Sequence, residues 1–423
     1  MGDLSTKSSS PPSDGDFTFE ETQALEYDGV FRARTGPGKR MVSTAALSGF
    51  WNAASSSSLS AAARVTVRFI GYDRQQQRRG SFEMPMTVIT AEALEFIGFS
   101  HATAKTVYER FMSRPDPSIN IDSLLDYATS QVQRIWVLKS ADYTDREAMA
   151  RVGLTINFQD RMLDLDFTAV AYTALEQMHE RLKHRAKVIK ATVAISQPSE
   201  GHSLPANFIS VETEPALPSP LEYVVLYKAT SALQMGVNPW IYGDGSIDMN
   251  VMSSDPRGDF NYRSLVHYWT PEREVAELYR EWAQRRCPYS QTWIARICVP
   301  ISLINSIPTA ELWYSPDWKE FVWYCRRKKR PPEKFNCLDP ENRVVGLIKG
   351  HISTKMAQQV AHIRKEDIQS IINDDFVLRN PITGSKGTQW VFTILSIIDR
   401  LGIEIRGRVH IDVTAVPRSG GKE

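Results

Sequence analysis

Five prolines (Pro198, Pro205, Pro215, Pro218 and Pro220) fall between Gln197 and Pro220, with serine and glycine between them. Each proline fixes its φ near −65° and withholds a backbone donor, so neither a helix interior nor a central strand runs through such a stretch. The chain is therefore expected to divide here. At 423 residues it has room for two ordinary domains. The pattern predicts a tail at 1–16, an N-terminal α/β domain at 17–196 and a linker at 197–220. An α+β domain at 221–416 and a short tail at 417–423 follow.

On either side of the break the apolar periodicity alternates between two and three-to-four residues. Arg64–Ile70 and Met84–Ile89 read as strands, and Ile135–Leu138 as a short apolar strand. His101–Met112, Ile121–Gln133 and Asp166–Ile189 read as helices, with Arg181–Lys190 as the polar face of the last. After the break, Tyr223–Lys228, Val266–Trp269, Trp293–Val299, Arg343–Ile348, Gln389–Thr393 and Glu404–Val413 read as strands. Thr270-Pro271 reads as an N-cap with proline at the first helical position. The helix it opens carries Val275, Leu278, Tyr279 and Trp282 on one stripe and closes at Arg285-Arg286. Asp367–Ile372 is a short helix, and a further helix runs to Leu401. Strands and helices without strict βαβ repetition imply a mixed sheet with flanking helices.

Charge and cysteine usage narrow the class. Fifty basic against 49 acidic side chains leave a net charge of +1, which argues against a dedicated, uniformly basic nucleic-acid binder but not against a local basic patch. Cys287, Cys298, Cys325 and Cys337 show no CxxC spacing, so neither a disulfide framework nor a structural zinc site is expected, and a reducing, cytoplasmic compartment is. No apolar run approaches the ~18 residues of a membrane span. P-loop and GxGxxG signatures are absent.

One segment concentrates chemistry: Trp313-Tyr314-Ser315-Pro316-Asp317-Trp318-Lys319-Glu320, then Arg326-Arg327-Lys328-Lys329-Arg330. Helical spacing puts Asp317 and Glu320 on one face, with Trp313 and Trp318 beside them. Such a pair can hold a guanidinium or ammonium, act as a general base, or hold a cation with too few ligands for a dedicated metal site. It also has a structural reading, since an acid in the first turn after Ser315-Pro316 favours the helix dipole. Five successive cations exceed what a helix C-terminus needs, and a polyphosphate backbone would reward them. Lys228 and His267 are placed where they could line a cleft and His351 is a further lone histidine, although each of these residue types in such a setting is more often structural than catalytic.

Two families resemble parts of the chain. The order of Leu226–Thr230, His267–Pro271 with its helix, Asp317–Arg326, Arg343–Gly350 and Gln389–Leu401 is similar to a divergent ADP-ribosyltransferase fold. That family places an Arg or His on its first strand, where Lys228 stands here, and a late glutamate that has no clear counterpart. Trp313–Arg327, Gly350-His351-Ile352 and Gln389–Phe392 resemble the fungal arginine-containing cyclodipeptide synthases, whose signature is DDxxE. Pro316-Asp317-Trp318-Lys319-Glu320 keeps the second Asp and the Glu, with proline in place of the first Asp. This second resemblance implies arginyl-tRNA and one other aminoacyl-tRNA as partners, with no cofactor and no metal because the ester is already activated. It implies Asp317 and Glu320 as catalytic residues, Trp313 and Trp318 as substrate-binding, and Arg326, Arg327, Lys328, Lys329 and Arg330 on the tRNA. NAD-dependent ADP-ribosyl transfer, or an inactive interaction module on the same fold, are the alternatives.

Overall fold

A computed structural model describes residues 15–47, 60–71, 80–114, 122–139, 143–161, 167–193, 204–236, 239–342, 344–354, 360 and 363–416. In chain order the elements are α1 (Phe19–Tyr27), β1 (Phe31–Gly36), β2 (Lys39–Ser43), β3 (Val65–Ile70), β4 (Ser81–Pro85), α2 (Ala91–Phe96), α3 (His101–Met112), α4 (Leu124–Lys139), α5 (Asp145–Arg151), α6 (Ile156–Arg161) and α7 (Phe167–Val193). There follow β5 (Phe208–Ser210), β6 (Tyr223–Ser231), β7 (His267–Trp269), α8 (Arg273–Arg286), β8 (Thr292–Pro300), α9 (Ile301–Asn305), β9 (Thr309–Leu312), α10 (Pro316–Arg326), β10 (Leu347–His351), α11 (Ile368–Ile371), β11 (Thr388–Phe392), α12 (Leu395–Glu404) and β12 (Val409–Thr414).

The chain forms two compact units, one of Met1–Leu47 with Arg74–Gly201, the other of Ser48–Asp73 with His202–Glu423. The first has an antiparallel sheet ordered β1-β2-β4 and is otherwise helical. Its α1 and α5 start on Thr18 and Thr144, each closing a capping box with the glutamate three residues on. The segment Ile135–Leu138, expected as a strand, is the last turn of α4, because the preceding helical period continues through it. Arg181, expected on the polar face of α7, is buried. It donates to the Leu47 carbonyl at 3.2 Å, and burial lowers its pKa to about 10.

The second unit is α+β with two mixed sheets, ordered β7-β11-β10-β9 and β5-β3-β12-β8-β6. Two boundary expectations are corrected by these ladders. Strand β3 belongs here, not to the N-terminal domain, because it pairs in parallel with β12 from Thr66↔His410 to Thr414↔Ile70. The expected linker also holds a strand: β5 pairs β3 from Val65↔Phe208 to Val67↔Ser210, in the proline-free gap between Pro205 and Pro215. Residues 197–203 of that linker, most of the two tails and residues 53–59 lie outside the described residues. Gly15 and Asp16, expected in the tail, are placed, with Asp16 accepting from Val88 N at 2.8 Å.

The period-two alternation of the five-stranded sheet sorts its faces sharply. Val65, Val67, Leu226, Ala295, Ile297, Val299, Val409, Ile411 and Val413 join one buried apolar cluster with Trp240, Trp293 and Trp269. The opposite face carries Thr66, Arg68, Tyr227, Arg296, Cys298, His410 and Asp412, fixed by the registers His410↔Thr66, Asp412↔Arg68, His410↔Arg296 and Tyr227↔Arg296. A second cluster joins α10 to Ile348 and Val391 of the four-stranded sheet, with Phe260, Leu312, Trp318, Phe321, Trp323 and Cys325. The C-terminal segment Glu404–Val413, expected as one strand, is split: α12 runs to Glu404, and Gly407 at φ +70° turns the chain into β12.

Candidate functional site

Helix α10 forms where Ser315-Pro316 specifies it. Ser315 is the N-cap, its Oγ accepting from Trp318 N at 3.2 Å, and Pro316 occupies the first turn. Its C-terminus closes in a Schellman arrangement, with Lys329 N donating to Tyr324 O and Lys328 N to Cys325 O, both at 3.0 Å. The residue this motif holds in the left-handed region is Lys328, at φ +54°, where glycine is the ordinary occupant.

Asp317 and Glu320 do share a face, and one cation sits between them. Lys334 Nζ lies 2.7 Å from Asp317 Oδ1 and 2.7 Å from Glu320 Oε2. These two hydrogen bonds raise the lysine's pKa. Asp317 is 61% and Lys334 50% exposed, so the arrangement is an open seat with an internal cation in it. Exposed pairs of this kind contribute about 0–1 kcal/mol, which makes the lysine displaceable by another cation.

The neighbouring expectations need correction. Trp318 is fully buried, its Nε1 donating to the His351 carbonyl at 2.9 Å, so it anchors the helix to the sheet and presents no face to a ligand. Trp313 is 36% exposed, its Nε1 on Glu311 at 2.8 Å and its ring 5.1 Å from the His351 ring. His351 Nδ1 accepts the Tyr314 N–H at 2.9 Å, which puts the proton of the neutral ring on Nε2; burial lowers this histidine's pKa. Arg326 and Arg327 are not free for a nucleic acid. Arg327 lies 4.6 Å over the Trp323 ring and donates to the Ile363 carbonyl at 3.4 Å. Arg326 places Nε and Nη2 at 2.9 and 2.6 Å from Asp259 Oδ1. Lys328, Lys329 and Arg330 are exposed.

Asp259 is the residue the sequence reading missed. It is 3% exposed, and its Oδ2 accepts from Ser353 N at 2.8 Å and Gln389 Nε2 at 3.0 Å. Close to this ion pair, Tyr268 Oη donates to Asn261 Oδ1 and accepts from Phe260 N, both at 2.8 Å. Gly258 makes the approach possible, since a Cβ there would sit 2.4 Å from Tyr268 Oη. Tyr279, assigned to the apolar stripe of its helix, is instead 41% exposed, yet burial raises its hydroxyl pKa.

Lys228 meets the backbone of Tyr268. Its Nζ donates to Ser254 Oγ at 3.3 Å and the Tyr268 carbonyl at 3.2 Å, and burial, with Arg286 nearby, lowers its pKa to about 8. His267 is buried, its Nδ1 without a partner; burial and the Lys228 charge lower its pKa to about 3, so the ring is neutral. The Thr270-Pro271 cap expected beyond it is displaced. The N-cap of α8 is Glu272, because Thr270 is engaged by Tyr227 in a two-way backbone bridge. The Glu272 side chain reaches across to Thr388 N and Oγ1, each at 2.8 Å.

Among the described residues no cluster of three or more His, Cys, Asp or Glu could hold a metal ion, and no helix is long and apolar enough to cross a membrane. No family model, curated protein or solved structure matches the chain.

Proposed function

We propose that this chain is a tRNA-dependent aminoacyl transferase that joins arginine from arginyl-tRNA to a second aminoacyl group and releases cyclo(Arg-X). The observation that carries this reading is the seat at the start of α10, where Asp317 and Glu320 share one ammonium at 2.7 Å each. A guanidinium or α-amine could replace the Lys334 ammonium with two charge-assisted hydrogen bonds already positioned. At the other end of the helix, about 16 Å away for its eleven residues, Lys328, Lys329 and Arg330 face solvent and would neutralise tRNA phosphates. Lys328 strengthens that assignment. A lysine at φ +54° is about 1 kcal/mol worse for the turn than glycine, so its side chain has a use that the turn itself does not explain.

Each of the two amides forms as an α-amine attacks an aminoacyl ester carbonyl and the ester C–O bond breaks, the tRNA hydroxyl leaving with the amine's proton, so the activated esters call for orientation and a proton acceptor. The Asp317–Glu320 pair offers carboxylates for the acceptor's role at the seat itself. Heterologous expression with mass spectrometry of the medium tests the proposal. A cyclo(Arg-X) product that disappears in Asp317→Asn/Glu320→Gln is the expected result. Soluble wild-type protein with no such product overturns it.

One observation favours a second reading, NAD chemistry on an ADP-ribosyltransferase-like fold. Lys228 stands on β6, at the position the resemblance matches to that family's first-strand Arg or His, and burial lowers its pKa to about 8. Against it, β10, β11 and β12 contain no glutamate. Nicotinamide release from NAD by purified protein would favour this reading; neither product would leave an interaction module.

A further inference from the structure

The polar face of the five-stranded sheet gathers an unusual density of charge away from α10. Arg68 on β3 grips Asp412 on β12 with both arms of its guanidinium, Nε to Oδ1 at 2.7 Å and Nη2 to Oδ2 at 2.9 Å. Arg273, at the first turn of α8, also donates to Asp412 Oδ2. His410 Nε2 lies 3.2 Å from Asp412 Oδ1, with its Nδ1 2.9 Å from Thr66 Oγ1. Burial works against the Asp412 charge, but hydrogen bonds from His410, Arg68 and Arg273 hold its pKa well below the usual carboxylate range.

A second carboxylate, Glu214, comes from outside the regular structure. Its Oε2 accepts from Arg273 Nη1 at 2.6 Å, with Arg68 Nη2 at 3.5 Å, and its Oε1 accepts from Arg296 Nη1 at 2.8 Å. Three guanidinium groups on β3, α8 and β8 thus converge on one carboxylate. The residue that supplies it lies in the irregular segment between β5 and β6, which also carries Pro215, Pro218 and Pro220. Arg296 Nη1 holds that segment a second time through the Pro215 carbonyl at 2.8 Å, while Arg296 Nε is buried without a partner. The rim is open: Arg68, Arg273 and Glu214 are 25, 26 and 21% exposed, whereas Arg296 at 5% forms the floor.

We propose that Arg68, Arg273 and Arg296 form a binding seat for a small-molecule phosphomonoester, that Glu214 occupies this seat in the free protein, and that the 211–220 segment is a strap that lifts when the ligand binds. Charge and geometry select the ligand. Without Glu214, the three guanidinium charges face Asp412 and, 3.9 Å from Arg273, Glu277, leaving one positive charge in excess on rigid elements. A phosphomonoester carries about −1.5 to −2 at pH 7 and offers three acceptor oxygens, enough for the donors Glu214 now satisfies and the unused Arg296 Nε. A monovalent carboxylate satisfies fewer. The strap is held to the sheet at Val211 N, which donates to the Val67 carbonyl at 2.8 Å, and beyond that chiefly by Glu214 and Pro215. Displacing the Glu214 carboxylate would therefore release the segment without disturbing a ladder.

The test is isothermal titration of purified full-length protein with phenyl phosphate and with inorganic phosphate, at matched ionic strength against chloride. Glu214→Gln keeps the shape and removes the competing charge; its affinity for phenyl phosphate should exceed the wild type's at least tenfold. Adding Arg296→Met should abolish the gain. Equal affinity in wild type and Glu214→Gln, or a gain that survives Arg296→Met, overturns the seat. If Glu214→Gln does not fold, amide exchange of the wild type decides: phenyl phosphate should speed exchange at residues 211–217, and unchanged or slowed exchange there overturns the strap. Binding of 5′-phosphorylated RNA without binding of phenyl phosphate would also overturn the small-molecule assignment.

Discussion

Truncating Asp259 should be among the most damaging single changes in the C-terminal unit. The carboxylate is 3% exposed and accepts from Arg326 twice, from Ser353 N and from Gln389 Nε2. In Asp259→Ala the Arg326 guanidinium, 15% exposed, keeps only the Ser353 carbonyl at 3.5 Å among its present acceptors. Leaving one partner of a buried pair uncompensated costs about 3–5 kcal/mol, and a buried N–H without an acceptor about 1–3 kcal/mol. The two losses overlap, because the site relaxes once for both, so the expected cost is about 4 kcal/mol. Removing both charges is a different perturbation. Asp259→Leu/Arg326→Met leaves no unpaired charge and should fall within about 2 kcal/mol of wild type, so the two single changes are strongly non-additive. Urea unfolding followed by tryptophan fluorescence measures this, since Trp318 and Trp323 sit on the helix that bears Arg326. The comparison is valid where the m-value is unchanged. A cost below about 1 kcal/mol for Asp259→Ala, or additive single and double mutants, would refute a desolvated pair.

Other outcomes follow from the same site. Lys228→Met should stabilise the protein by about 2–3 kcal/mol at pH 7, because it removes an amine that burial disfavours when charged. Wild-type stability should correspondingly rise between pH 8 and 10.5, as the folded amine loses its proton before the unfolded one; urea midpoints across that range check it. His267 works in the opposite direction along the pH axis. Its folded pKa of about 3 lies below the unfolded 6.5, so stability present above 6.5 is lost as pH falls toward 3, and His267→Gln should flatten that slope in urea titrations. Lys328→Gly should raise stability by about 0.5–1 kcal/mol by relieving the left-handed turn. The same change should weaken tRNA binding and make its log–log salt dependence shallower by about 0.7–0.9, read from filter-binding isotherms. Lys334→Ala should change stability by less than about 1 kcal/mol and lower the KM for arginyl-tRNA by vacating the seat.

Much of the second unit was legible before any coordinates. Strands at Tyr223, Trp293 and Gln389 and the helix at Pro316 begin within one residue of the expected position, because each is coded locally by alternation or by a cap. So is the common face of Asp317 and Glu320, a consequence of helical spacing alone. What failed was pairing. The alternation of Val65–Ile70 announces a strand but not its partner, which lies more than 300 residues on in β12. The apolar run Ile135–Leu138 is too short for periodicity to separate strand from helix.

The sequence by itself determined the elements of α10, its acidic first turn and its cationic end, because caps, spacing and charge act over a few residues. Tertiary structure decided which of those side chains remain available. It buried Trp318 under the sheet and turned Arg326 inward, since Asp259 arrives from a loop nearly 70 residues earlier in the chain. It brought Lys228 onto the Tyr268 carbonyl, and three arginines from β3, α8 and β8 onto Glu214. Desolvation and pairing depend on neighbours in space, and no local pattern encodes them.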